Sequence, residues 1–203
     1  MDNYEIARDR AQEYFLGFDQ SVIIHRWQLQ HDEKYLYVDF LGRKYAVCRQ
    51  TGRIDRLFDG KQAGFSEVLS IFDFLCHKGA DPFLTGKFAP VNSLRGRPVS
   101  VGVETGFYQK SAEFFDRNLE TFKEACFALG GTRVPMGDLG FILPVFREIQ
   151  VILKFYKSDE EFPASITFLW DENMLSFLFY ETVFYVAGFL LEAIREQMES
   201  IGA

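Results

Sequence analysis

The run REIQVILKFY at residues 147–156, the polar stretch KSDEEFP at 157–163 and the run ASITFLW at 164–170 decide the fold. Both runs alternate in polarity, and period-two alternation marks half-buried strands. Two such strands across a short polar turn predict an antiparallel hairpin. The apolar stretch after them, from Met174 to Leu191, reads as a long helix covering the hairpin.

That last stretch approaches membrane-spanning length. Glu181 interrupts it, however, and an acid mid-span costs about 2.5–3.5 kcal/mol on insertion scales. Glu192, Arg195, Glu196 and Glu199 polarise its end. A core helix or a homodimer interface through residues 179–198 is expected, and no membrane association.

Upstream, residues 3–16 carry Tyr4, Ala7, Ala11, Tyr14 and Phe15 at helical spacing, with Gly17 as a stop. Residues 22–29 read as a strand with Ile23, His25, Trp27 and Leu29 on one face. Residues 35–40 and 44–48 come next as strands across the Leu41-Gly42 turn, where glycine accepts a positive φ. A short strand near Ile54 extends this antiparallel meander. Residues 66–78 read as a helix capped by Ser66, with Val68, Ile71, Phe72 and Leu75 as its stripe and His77 and Lys78 in its last turn.

Residues 79–106 form a long Gly- and Pro-rich loop with a short strand near Phe88, and loops of that length are often functional. A second helix is expected over 111–129, ended by Gly130-Gly131, and then a strand over 140–145. Strands at both ends with helices between predict an α+β fold. The expected architecture is one domain over 1–203, its antiparallel sheet (meander plus C-terminal hairpin) packed against three to four helices.

Composition narrows the function. Phe alone supplies 23 residues, which speaks first of core volume. A net charge of −7 argues against a nucleic-acid-binding surface despite the locally basic first meander. Cys48, Cys76 and Cys126 form no C-x-x-C pair, so no zinc or iron–sulfur site is encoded locally. Buried free thiols in a reducing cytoplasm are expected, and the N-terminus lacks a signal-peptide pattern.

The Asp159-Glu160-Glu161-Phe162-Pro163-Ala164 motif, the strand ending in Asp171 and the Gly188-containing helix resemble a prokaryotic family, domain of unknown function 3786. The hairpin Phe40-Leu41-Gly42-Arg43-Lys44-Tyr45, the Leu84-Thr85-Gly86 loop and Gly130-Gly131 resemble its earlier segments. The resemblance spans about residues 5–195. It implies an anaerobe-associated protein without an established activity, and hints at corrinoid or one-carbon metabolism. Some members carry an iron–sulfur segment, whose cysteine motif this chain lacks. Phe179 and Tyr180 stand where the family tends to place a polar helix cap.

Candidate sites are few. Arg95 and Arg97 around Gly96 could grip a phosphate or carboxylate bidentately, although an ordinary charged surface loop accounts for them more simply. Asp159, Glu160 and Glu161 offer carboxylates for a hard cation or a general base, but adjacent acids seldom converge without a loop framework. Solvation of the turn is the plainer account, with Phe162 inserted into the core and Pro163 opening an edge strand. Asp171 and Glu172 close the second hairpin strand and cap the segment after it. Three histidines lack metal-ligand spacing, and Gly64-Phe65-Ser66-Glu67-Val68 departs from G-x-S-x-G at Val68.

The expected function is therefore small-molecule or cofactor binding, an accessory role in anaerobic metabolism, with anion contacts from the 79–106 loop. The cofactor is unknown and no metal is expected. The alternatives are an enzyme of unfamiliar type using an acid of the 159–161 turn as base, and a homodimeric assembly protein.

Overall fold

The computed structural model describes residues 3–77, 82–98 and 108–202. Lys78 and positions 79–81 and 99–106 of the expected long loop lie outside those residues.

Two helices open the chain, α1 (Asn3–Leu16) and α2 (Gln20–Trp27). The α2 segment corrects the strand expected over 22–29. Asp19 caps it by accepting the Ser21 N–H at 2.9 Å, and Gln28 ends it in the left-handed region at φ 47°. Buried Ile23 and half-buried Trp27 stand one turn apart, so their spacing serves a helix as well as a strand.

The meander comes next as β1 (Gln30–His31), β2 (Tyr35–Phe40), β3 (Arg43–Cys48) and β4 (Ile54–Arg56), antiparallel in that order. Leu36, Val38 and Phe40 alternate inward along β2. The β2–β3 turn holds Leu41 at φ 52° and Gly42 at φ 71°, the pair of positive angles that lets a two-residue turn match strand twist. A Cβ on Gly42 would lie 2.5 Å from the Leu129 carbonyl oxygen, so the position excludes any side chain.

Helix α3 (Phe65–Cys76) begins at Gly64, whose N–H is held by Glu67 at 2.5 Å; the cap is this carboxylate and not Ser66. Helices α1, α2 and α6 (Tyr180–Ile201) all pack against it. The helix expected over 111–129 is two, α4 (Gln109–Asp116) and α5 (Leu119–Ala128), because Asn118 turns back to accept the Thr121 N–H. At the end of α5 the Gly131 N–H reaches the Cys126 carbonyl and the Gly130 N–H that of Phe127, with Gly130 at φ 81°.

A second antiparallel sheet runs β5 (Phe88–Pro90), β9 (Ser165–Asp171), β8 (Gln150–Tyr156), β7 (Leu139–Pro144) and β6 (Thr132–Val134). The β8–β9 hairpin pairs Val151 with Trp170 and Tyr156 with Ser165, as the alternation requires. Residues 147–149 belong to the tight β7–β8 corner instead of the strand. Phe162 is 66 % exposed rather than inserted, and Pro163 precedes β9, which lies between β5 and β8 and is no edge. After β9 comes a 3-10 turn, Met174–Ser176, before α6 starts.

The fold is α+β, with meander and hairpin in separate sheets. They meet where Phe40 bridges Phe146 and the Leu41 N–H reaches the Val145 carbonyl at 2.8 Å. An aromatic chain crosses the junction: Trp27 on Phe74 at 4.2 Å, Phe74 on Phe146 at 4.0 Å, and Phe146 on Phe40 at 4.8 Å. Such pairs add about 0.5–1.5 kcal/mol beyond their buried area. Three of the 23 phenylalanines are stacked here. The apolar stripe of α6 is likewise buried within the chain, leaving Glu181, Tyr185, Glu192, Arg195 and Glu199 outward. Among the described residues, no helix is long and apolar enough to cross a membrane.

Candidate functional site

A cavity of about 1030 Å³ opens where α2, the meander, the β7–β8 corner and the long loop converge. That is the upper end of the size range for small-molecule sites. Helix α2 gives one wall with His25, Arg26 and Trp27. The meander contributes Tyr37, Asp39 and Lys44, and the corner Arg147 and Glu148. Phe74 and Phe177 line its apolar side, and Pro82, Phe83 and Leu84 bring in the loop.

Local geometry fixes each cation. Arg26 donates through Nη1 to the His77 carbonyl at 2.7 Å and Arg147 through Nη1 to the Gln28 carbonyl at 3.1 Å. Among the described residues neither arginine has a carboxylate partner within ion-pair distance. Lys44 shares its charge with Asp39 at 3.9 Å. A guanidinium anchored through one nitrogen keeps its other donors available to a ligand. Three permanent cations face two carboxylates here, on a chain whose net charge is −7.

The long loop is held against this cavity from the end of β9. Asp171, 2 % exposed, accepts the Thr85 and Gly86 N–H groups at 2.8 Å each, the Thr85 hydroxyl and the Asn173 N–H. Asn173 donates in turn to the Phe83 carbonyl at 2.8 Å. The Leu84-Thr85-Gly86 and Asp171 motifs thus meet in space, and Asp171 positions a cavity wall with no oxygen left for chemistry.

The other sequence candidates lie elsewhere. Arg95 pairs with Glu172 at 2.7 Å, while Arg97 is exposed and its side chain donates to the Pro98 carbonyl at 3.5 Å. Asp159 and Glu160 are exposed in the hairpin turn. Asp159 accepts the Phe162 N–H at 2.7 Å and the Glu161 N–H at 2.9 Å, which holds its carboxyl below the usual value of 3.8. None of the four lines the cavity. Among the described residues, no three His, Cys, Asp or Glu side chains are grouped to hold a metal ion.

Two polar arrangements escaped the sequence. Glu67, 1 % exposed, accepts from Tyr45 Oη at 2.7 Å, Arg56 Nε at 2.8 Å, Arg56 Nη2 at 3.0 Å and the Gly64 N–H. Burial and the Glu67 carboxylate push the Tyr45 phenol far above its ordinary value. Asp73 accepts the Phe179 N–H at 2.7 Å, so α3 supplies the polar cap that α6 lacks in its own sequence. The acid spacing on α3 was visible, but not the donors.

The thiols differ. Cys76 is buried and pushed up to about 12, and burial also raises Cys126. Cys48 is half-buried, against the expectation of burial. The Thr51 hydroxyl bonds to it and lowers its thiol below 9.0.

Two antiparallel sheets that share one core, with a cavity lined by cations and aromatic rings, define an α+β protein. The chain belongs to the family described as Domain of unknown function (DUF3786), whose model matches residues 19–193. The match includes every residue lining the cavity as well as Asp171. The chain matches no curated protein and no solved structure.

Proposed function

We propose that this protein is a single-domain, cytoplasmic, small-molecule-binding protein whose anionic ligand occupies the cavity beside α2. The observation that carries this reading is the pair Arg26 and Arg147. Both guanidinium groups are anchored on main-chain carbonyls, both line the cavity, and neither has a carboxylate partner among the described residues. Three free cysteines support a reducing compartment. The accessory role in anaerobic metabolism rests on the family resemblance alone.

Arg95 is bound to Glu172, which favours Arg26 and Arg147 as the anion contacts. The long loop keeps a part through Pro82–Leu84. A general base in the 159–161 turn would need an enclosing pocket and a raised carboxyl. Asp159 is exposed and held low, so binding is the better-supported reading.

A ligand-observed NMR screen of anionic and neutral fragments tests the proposal. Anionic fragments should bind the native protein and weaken at least tenfold in Arg147→Gln, with an unchanged melting temperature as the folding control. Equal binding by Arg147→Gln, or no fragment bound in the cavity, would remove this reading.

A further inference from the structure

Two aromatic residues of the cavity wall, Phe83 and Trp27, are held in place and keep ring surface open to solvent. Phe83 is 61 % exposed, yet its backbone is pinned at its own carbonyl by Asn173 and two residues on by Asp171. An exposed phenylalanine on a tethered segment leaves a large apolar area in water, unfavourable by roughly 25 cal/mol per Å². Trp27 is half-buried, its indole N–H anchored on the Leu75 carbonyl at 3.4 Å and its ring tilted against Phe74. The Arg26 guanidinium carbon lies 6.0 Å from the Trp27 ring centroid, so an anion contact and an aromatic contact stand side by side.

Resting on the cavity reading above, we infer that the ligand is a planar aromatic or heterocyclic ring carrying a carboxylate or phosphate. The ring lies against Phe83 and Trp27, whose faces accept any flat π-system. The anion meets Arg147 and Arg26, whose forked donors match two oxygens of either group. Asp39 and Glu148, which also line the cavity, disfavour a second negative charge on the ligand.

Calorimetric titration with two probe sets tests this. One set is adenosine 5′-monophosphate, adenosine and ribose 5-phosphate. The other is indole-3-acetate, indole-3-ethanol and acetate. At least one intact probe should bind ten times or more tighter than both of its halves. Arg147→Gln should reduce that probe to the level of its ring-only half, and Phe83→Ala to that of its anion-only half. A ring-only or anion-only half binding as well as the intact probe overturns the inference and leaves the cavity reading intact. So does failure of both sets while other fragments bind. Absence of any cavity ligand in the fragment screen removes both.

Discussion

Asp171 holds Thr85 three times over, through its backbone N–H at 2.8 Å and its hydroxyl at 3.1 Å to each carboxylate oxygen. One residue at the end of a strand therefore decides where a distant loop lies. Replacing Asp171 with Asn removes the charge and turns one acceptor into a donor facing other donors. The expected loss is about 2–3 kcal/mol in urea denaturation, by the strength of charged hydrogen bonds. Hydrogen exchange at the Thr85 and Gly86 amides should accelerate with it. Unchanged protection at those two amides would show that the loop is held by something else.

Tyr45 and Arg56 contribute unequally to the Glu67 cluster. Glu67→Ala removes the two-pronged partner of Arg56, which keeps Asp59 at 3.3 Å, and orphans the Tyr45 hydroxyl and the Gly64 N–H; it should cost about 3 kcal/mol, the scale of a broken buried pair. Tyr45→Phe leaves three donors on the carboxylate and should cost about 1 kcal/mol. Equal losses in denaturation would refute this ranking. In the native protein the Tyr45 phenol should also stay protonated in an alkaline absorbance titration that ionises exposed tyrosines.

Cys48 should be the thiol that reacts. Its lowered value places thiolate at a lower pH than an ordinary cysteine offers, whereas Cys76 at about 12 and buried Cys126 stay protonated. Iodoacetamide at mildly alkaline pH should give one adduct, mapped to Cys48 by peptide mass spectrometry. Thr51→Val should slow it by removing the hydroxyl. Labelling spread over all three cysteines would contradict the assignment.

Acid should weaken the fold through Asp32 and Asp159. The Tyr37 hydroxyl and then the Tyr35 and Lys34 N–H groups hold Asp32 below 3.8, and the Phe162 and Glu161 N–H groups do so for Asp159. A carboxyl lowered on folding stabilises above its unfolded value and loses that contribution as pH falls through the folded one. Melting temperature measured between about pH 2.5 and 5 should therefore drop, and less steeply in Asp32→Asn. Parallel curves for the two proteins would exclude Asp32 as a contributor.

Gly42 and Gly60 share nearly the same backbone angle, φ 71° and 72°, but only Gly42 faces the Leu129 carbonyl. Alanine at Gly60 should cost about 1 kcal/mol of conformational strain. Alanine at Gly42 should cost distinctly more, because the Cβ meets main chain at 2.5 Å. Chemical denaturation of the two variants separates strain from collision, and equal losses would deny the collision.

Strands were the legible part of the sequence: β2 buries one face and alternates accordingly, while β3, β8 and β9 keep much of the alternation although Ala46, Ile152 and Asp171 are buried out of phase. The short α2 admits a strand reading because its eight residues of mixed polarity satisfy both periods, and the decisive Asp19 cap lies outside them. Strand β6 carries no alternation to read, because its three residues bury little. The break at Asn118 hides inside an unbroken apolar stripe that runs through Phe115 and Phe122. Asp171 and Leu84-Thr85-Gly86 stand out as motifs, yet their joint role needs positions 86 apart in sequence to fold back together. The cavity draws its lining from seven separate stretches of the chain, and a site scattered in that way leaves no spacing to read.

Phe179 obtains its hydrogen-bond acceptor from Asp73, more than a hundred positions earlier. During synthesis the carboxylate emerges well before the amide it will receive. The closing helix thus finds its starting point already laid down, and its first turn becomes secure only when the chain's two halves have met.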